Sequence, residues 1–114
     1  MARKAKSQSE TVTRGSGNVF ADLGIADAEA HQTKLKLAYA VNHILEEDRH
    51  TQAAAASLLK VNQPKVSALQ HYKLDGFSVE RLMTFLTALD HDVEIVIRKK
   101  PRSRPSARVS VVAP

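Results

Sequence analysis

Apolar residues recur every three or four positions over most of this chain, which is the spacing of helices with one buried side. The first long stripe predicts a helix that Asp27 caps and that fades over residues 48–50. Because Asn42 is polar, we expect it to fall largely off the buried stripe. The apolar positions of the stripe are Leu35, Ala38, Val41, Ile44 and Leu45.

Two short helices joined by a tight turn are predicted next. Thr51 is placed to cap the first of them, residues 52–59. Its four consecutive alanines, 53–56, are strong helix formers with little side-chain bulk. We therefore expect a second helix to approach this one closely.

The second short helix begins after the turn at residues 60–62. Asn62 is placed to cap it, and Pro64 fits its first turn, where no backbone N–H is needed. Val66 and Leu69 share one side, which we expect to face the core.

A fourth helix is predicted by the same spacing of apolar residues. Residues 71–76 read as a loop, Ser78 as an N-cap, and Phe77 with Leu82 as a hydrophobic staple. With a short helical turn predicted over 19–23, the chain has about five helices. The buried stripe of the last helix is predicted to be Leu82, Phe85, Leu86 and Leu89.

The period then changes from helix to strand. Val93, Ile95 and Ile97 alternate with other residues over 92–98. A lone strand leaves its backbone hydrogen-bonding groups unpaired, so it needs a second strand. Three hypotheses remain open: the same strand of a second copy, paired antiparallel; the sheet edge of another protein; or a frayed extension packed on its own domain.

Charge is concentrated at the two ends of the chain. Residues 1–17 carry four Lys or Arg and one acid, and residues 98–114 carry six and none. Acids outnumber Lys and Arg in between, so the net charge of +5 belongs to the ends. We expect these basic ends either to attract nucleic-acid phosphates or only to aid solubility.

The sequence disfavours disulfide-stabilised, thiolate-metal and membrane-spanning proteins. There is no cysteine, and no apolar run approaches the length of a membrane span. His43, Glu46, Glu47 and His50 lie at helical spacings, but their pattern is not that of a zinc site. Aromatic residues make up only 4% of the chain, which leaves little material for a substrate pocket. We expect no enzyme activity, no metal and no cofactor.

The outer side of the second short helix carries small or hydrogen-bonding residues and no acid. Gln can pair with adenine edges, Lys with guanine, and Ala can touch a thymine methyl. Gln52, at the positive end of its helix, is placed to bind a phosphate. The predicted face consists of Gln63, Lys65, Ser67, Ala68 and Gln70.

This stretch resembles the Cro/cI-type (XRE) helix-turn-helix proteins, in which T-Q-x-x-x-A-x-x-L-x-V-x-x-x-x-V-S recurs. Together with segments 18–24 and 77–98, it is similar to the HigA-like antitoxin branch of that family. The chain departs from the family at Lys60 and Arg49, where glycine is usual, and a left-handed residue other than glycine costs about 1 kcal/mol. The matching residues are Thr51, Gln52, Ala56, Leu59, Val61, Val66 and Ser67.

The resemblance implies an all-α, lambda-repressor-like domain. The C-terminal strand that follows it is expected to serve in dimer pairing. It implies that His71, Tyr72 and Lys73 lie near DNA backbone phosphates, and Lys60 could also reach one. Such antitoxins bind a RelE/HigB-like toxin and repress their own operon. The family's DNA-facing positions correspond to Gln52, Gln63, Lys65, Ser67 and Ala68.

These observations predict a cytoplasmic, dimeric, sequence-specific DNA-binding protein. We expect a repressor that binds a palindromic operator, and more specifically an antitoxin. The alternative is an adaptor that binds no DNA and docks a protein partner through its helices and strand. The expected organisation is a disordered basic tail (1–17), a helix-turn-helix domain (18–91), a dimerisation strand (92–98) and a second disordered basic tail (99–114).

Overall fold

The computed structural model describes residues 27–112 of the chain, and all regular secondary structure in this range is helical. This confirms the helical fold, and the four described helices coincide with four of those predicted. None of them is long and apolar enough to cross a membrane. The predicted helical turn at 19–23 and the tail at 1–17 lie outside the described residues. The helices are α1 (Asp27–Glu47), α2 (Gln52–Leu59), α3 (Gln63–Gln70) and α4 (Val79–Ala88).

Three of the helices begin at the predicted N-cap side chains. In each case the side-chain oxygen accepts a hydrogen bond from the backbone N–H three residues later, which satisfies one unpaired donor of the first turn. Each such cap stabilises a helix by about 1 kcal/mol. The bonds are Ala54 N to Thr51 Oγ1 (3.1 Å), Lys65 N to Asn62 Oδ1 (2.8 Å) and Arg81 N to Ser78 Oγ (3.0 Å).

The four described helices also end alike, each with a left-handed residue that is not glycine. The residues are Arg49 (φ 57°), Lys60 (φ 59°), Tyr72 (φ 59°) and Asp90 (φ 64°). The next residue then donates its N–H to a carbonyl five residues back, as His50 does to Leu45 O at 3.0 Å. The strained position expected at Lys60 is therefore present, and the same conformation recurs at three other helix ends.

One hydrophobic core joins all four helices. α1 packs mainly against α4, and α2 mainly against α3. Phe77 and Leu82 are both buried, as the predicted staple requires, and the Phe77 ring meets Phe85 edge-on at 5.9 Å between centroids. The largest fully buried side chains are Phe85, Leu45, Leu69, Leu82, Val41 and Val66.

Asn42 is buried on α1, so the expectation that it lies off the buried stripe is wrong. Its Nδ2 donates to the backbone oxygen of Leu69, in the last turn of α3, at 3.0 Å. Its Oδ1 is buried and has no hydrogen-bond partner among the described residues. The helical spacing had placed Asn42 on the stripe, because it lies four residues after Ala38 and three before Leu45.

The predicted strand at 92–98 is not a strand in this single chain. Its backbone makes no hydrogen bond to other backbone groups of the described residues. Val93 packs against the core, whereas Ile95 and Ile97 are 75% and 92% exposed. The physical reason is that no other described segment lies beside this one as a partner strand.

The segment predicted to be a disordered basic tail, 99–114, is described as far as Val112. Arg104 N donates to Pro101 O at 3.3 Å, which forms a turn. Val109 and Val111 then pack against the core. Valines two residues apart give this segment one apolar side, and burying that side favours its return to the helices.

We predict that Asn42→Asp makes the stability of the protein depend on pH. Burial disfavours the charged carboxylate and raises its pKa in the folded state above the unfolded value of about 3.9. Stability is then retained below that value and lost as the pH rises, by up to about 1.4 kcal/mol per pH unit until the folded-state pKa is passed. Urea unfolding of both proteins between pH 4 and pH 7 measures this.

Asn42→Ala is the matched control, because it removes the same hydrogen bond without adding a titratable group. Its difference in stability from the native protein should not change over this pH range. If Asn42→Asp shows an equally constant difference, position 42 is not buried against Leu69 as described.

Candidate nucleic-acid interface

α2 and α3 form a compact pair joined by a three-residue turn. Ala55 and Leu59 of α2 are 0% and 5% exposed, and Val66 and Leu69 of α3 are both 0% exposed. The methyl group of Ala55 lets the two helices approach closely. Lys60 closes the turn in a left-handed conformation (φ 59°, ψ 45°). This is the arrangement of a helix-turn-helix, with α3 in the position of the recognition helix.

The side of α3 opposite its buried residues defines the surface available to a partner. Successive residues turn by about 100° around a helix axis, so Pro64, Ser67 and Ala68 lie opposite Val66 and Leu69. Pro64 is exposed, while Ser67 and Ala68 are half-buried. Gln63 is also exposed and lies beside this row at the start of α3. We call Pro64, Ser67 and Ala68 the outer row of α3.

His71, which caps the end of α3, continues this outer row. Its Nδ1 lies 2.8 Å from the backbone oxygen of Ser67. A carbonyl only accepts, so Nδ1 carries the proton in this contact. Nε2 of this exposed ring is then free to accept a hydrogen bond when the ring is neutral, or to donate one when it is protonated.

Lys65 lies on one flank of α3 and is directed towards the protein itself. Its Nζ donates to the backbone oxygen of Gly76 at 3.0 Å and lies 4.7 Å above the centre of the Phe77 ring. A Cβ at Gly76 would stand only 2.6 Å from this Nζ, so an alanine there would make the flexible end of the Lys65 side chain shift. In this geometry the Lys65 ammonium holds the loop between α3 and α4.

Gln70 lies on the opposite flank of α3 and contacts α2. Nε2 of Gln52 donates to Oε1 of Gln70 at 3.0 Å, which joins the start of α2 to the end of α3. Two residues of the predicted face, Lys65 and Gln70, are therefore engaged within the protein, whereas Gln63 is exposed. Sequence reasoning missed this because each partner comes from another element.

Tyr72 and Lys73 come after His71 at the end of α3, and both are exposed. Lys73 N donates to Ala68 O at 2.9 Å, which fixes their backbone against the helix end. Tyr72 also borders an open apolar depression of about 350 Å³. Val111 contributes to the same depression, so the C-terminal segment reaches the end of α3. The remaining lining residues are Leu35, Lys36 and Tyr39.

From Arg49 through α2 and α3, the chain carries no acidic side chain before the exposed Asp75 of the following loop. Residues 49–74 include four Lys or Arg and no Asp or Glu. The carboxylate–imidazole contacts that the structure describes lie at the end of α1 instead, between His43 and Glu47 at 3.3 Å and between Asp48 and His50 at 3.9 Å. Within residues 27–112, no group of three His, Asp or Glu could hold a metal ion. The site is thus suited to a polyanion.

A helix-turn-helix whose second helix carries no acidic side chain is typical of DNA-binding regulators. The chain belongs to a family described as "Helix-turn-helix domain", whose profile matches residues 19–98. A solved structure named "Putative XRE Family Transcriptional Regulator" is 70% identical in sequence, with a TM-score of 0.75. The alignment covers 77% of this chain and 99% of that one. No curated protein sequence matches the chain significantly.

These findings confirm the XRE-type helix-turn-helix. The family and the solved relative are those of DNA-binding regulators rather than of enzymes.

We predict that Lys65→Met and Gly76→Ala weaken the same interaction. The first deletes the ammonium, and the second adds a methyl group that makes the flexible end of Lys65 shift. Lys65→Met should lower the free energy of unfolding by about 1 kcal/mol, the range of a partly exposed charged hydrogen bond with a cation–π contact, and Gly76→Ala should lower it by less. The double variant should lose less than the sum of the two, with a coupling energy of at least about 0.5 kcal/mol.

Urea denaturation of the three variants and the native protein measures this coupling. Lys73→Met, at an exposed lysine of the same loop, is the control and should change stability by less than about 0.5 kcal/mol. Strictly additive losses for Lys65→Met and Gly76→Ala would show that the ammonium does not rest on Gly76.

Proposed function

We propose that this protein is a dimeric, sequence-specific DNA-binding repressor that inserts α3 into the major groove. The observation that carries the proposal is the outer row of α3, which presents hydrogen-bonding or small side chains and no acid. The dimensions of the major groove admit one helix. The family of the chain and the regulator function named for its solved relative support the same conclusion.

Within this proposal, the residues at the interface have different roles. Gln63, Ser67 and Ala68 face base edges, and His71 contacts a base edge or a nearby phosphate. Tyr72, Lys73 and Lys60 lie near backbone phosphates, where positive charge contributes affinity without sequence preference. Gln52 and Gln70 hold α2 against α3, and the free backbone N–H groups at the start of α2 can still receive a phosphate.

An electrophoretic mobility shift on the DNA upstream of the gene tests the proposal as a whole. The protein should retard this fragment at concentrations that leave an unrelated fragment of equal length free. Equal affinity for both fragments would contradict sequence-specific binding, and retardation of neither would favour the adaptor hypothesis.

We predict that Gln63→Ala weakens binding to the operator by about 1–3 kcal/mol and spares binding to random DNA. Gln63 is exposed at the start of α3, where a bidentate contact to adenine can form. The measurement is a fluorescence anisotropy titration on both DNAs. Lys73→Gln is the matched control, because loss of a phosphate contact should weaken both complexes alike. Equal losses for Gln63→Ala on the two DNAs would refute base reading by this residue.

The dimer in this proposal forms through residues 92–98. Their backbone groups have no partner among the described residues, and Ile95 and Ile97 are exposed. A second copy provides an identical strand, and antiparallel pairing satisfies the backbone groups of each strand that face the other. The dimer would place two copies of α3 about 34 Å apart, in successive major grooves of a palindromic operator.

We predict that Ile95→Asp makes the protein monomeric at micromolar concentration. The substitution puts a charge where apolar side chains of the two copies meet, which destabilises the dimer but not the helical core of each copy. The circular dichroism spectrum should remain that of a helical protein. Operator affinity should fall by at least a hundredfold because a monomer contacts only one half-site. Sedimentation equilibrium and a DNA titration measure these effects, with Val96→Asp, on the other face, as the control. A dimeric Ile95→Asp variant with normal affinity would show that dimerisation lies elsewhere.

The more specific form of the proposal is an antitoxin that acts in the cytoplasm and represses its own operon. Its support is the resemblance of residues 18–98 to HigA-like antitoxins. The test is the neighbouring reading frame. A basic RelE/HigB-like chain encoded there should arrest growth when expressed alone and be neutralised by this protein. A neighbour without toxicity would leave the repressor without an antitoxin role.

A further inference from the structure

Burial falls steadily along one face of segment 92–98. Side chains alternate between the two faces of a strand, so Val93, Ile95 and Ile97 would share one face. Val93 packs against the helical core of its own chain, Ile95 is 75% exposed and Ile97 is 92% exposed. The apolar face therefore begins on the core and extends beyond it.

We infer that two copies pair antiparallel about a two-fold axis at Ile95, so that Ile97 of each copy covers the core of the other. This inference rests on the proposed dimer and specifies its register. With the axis at Ile95, that residue lies opposite its own copy, and Val93 lies opposite the partner's Ile97. Because Val93 touches its own helices, the partner's Ile97 is brought beside the same helices. In this arrangement Val93 is covered by its own core and Ile97 by the partner's core, which agrees with the rise in exposure from Val93 to Ile97 in the single chain.

The opposite face is compatible with the same register. With the axis at Ile95, Asp92 lies opposite the partner's Arg98, and opposite charges on directly facing residues favour pairing. All seven residues from Asp92 to Arg98 find a partner. Moving the axis to Glu94 would set two carboxylates against each other.

Registers closer to the C-terminus are disfavoured by Lys99 and Pro101. An axis at Val96 places the partner's Lys99 opposite Val93, on the face that covers the core. An axis at Ile97 places the partner's Pro101 there, and proline has no N–H to donate to the ladder. An axis at Val93 leaves only residues 92–94 to pair, because His91 is bonded to Leu86 O at the end of α4. The axis at Ile95 avoids all three defects.

Single cysteines test this register directly, since the native chain has none. Residues that face each other in an antiparallel pair have Cα atoms about 4.5–5.5 Å apart, within the range that a disulfide spans. Diagonal neighbours lie about 7–8 Å apart, beyond that range. Ile95→Cys should therefore form a disulfide-linked dimer under mild oxidation, and Val96→Cys should not.

A mixed experiment gives a second, independent readout. Val93→Cys and Ile97→Cys should each remain uncrosslinked alone and should form a crosslinked dimer when the two proteins are mixed. Non-reducing gels quantify the crosslinked dimer. Oxidation carried out in 6 M urea, which unfolds the protein, should form none. The mixture keeps the test decisive if Ile95→Cys itself disturbs the dimer.

The outcomes separate the register from the proposed function. Crosslinking of Ile95→Cys and of the mixture supports the inference. Crosslinking of Val96→Cys instead, or of Ile97→Cys alone, would move the axis and overturn it. If the native protein sediments as a dimer and neither Ile95→Cys nor the mixture crosslinks, the register is wrong, and the Ile95→Asp variant decides whether the dimer forms through residues 92–98. If the native protein sediments as a monomer, the dimer and the inference both fail, while operator binding is decided separately by the mobility shift.

Discussion

An eight-residue helix is too short to be stable by itself in water, and this constraint governs everything around α3. Nucleation of a helix is costly, and isolated helices shorter than about 12–15 residues are marginal. The shape of α3 therefore comes from its surroundings. Val66 and Leu69 are fully buried beneath it, Asn42 of α1 binds its last turn, and Gln52 and Gly76 hold its two flanks. On the outer side of α3, Gln63 and Pro64 are exposed, Ser67 and Ala68 are half-buried, and Ala68 also packs against the core. This outer side is the surface that DNA can use.

The helix ends show how the chain manages short elements with few glycines. A left-handed residue other than glycine costs about 1 kcal/mol, and all four described helices carry one at the end. Arg49 and Lys60 place a positive charge near the negative end of a helix dipole, which contributes about 0.3–1 kcal/mol in the opposite direction. At Arg49 this also balances the acids Glu46 and Glu47 in the last turn of α1. Tyr72 and Asp90 bring no such charge, so their strain is carried by the packing of the core.

The features that could be predicted from the sequence are those decided by neighbours along the chain. Thr51, Asn62 and Ser78 were identified as caps because a cap acts over three residues. The engagement of Lys65 could not be foreseen, since its acceptor, Gly76, is eleven residues away and is brought near by a loop. Asn42 is an intermediate case. Its spacing placed it on the buried stripe, but its polarity argued for solvent, and only the carbonyl of Leu69 resolves the conflict. The pairing proposed for segment 92–98 would depend on a second chain, and the pattern of one sequence cannot show which chain that is.

In the proposed dimer, the path from the strand to the recognition helix contains no flexible linker. His91 N donates to Leu86 O, so the chain leaves α4 in a fixed direction, and Val93 rests on the core two residues later. α4 packs against α1, and α1 binds the last turn of α3 through Asn42. Each contact in this path is a buried or hydrogen-bonded one, and packed interiors transmit displacement with little compliance. The separation of the two recognition helices would then be set by the fold itself. A dimer built in this way favours one half-site spacing, because any other spacing would require DNA deformation or a break in the core.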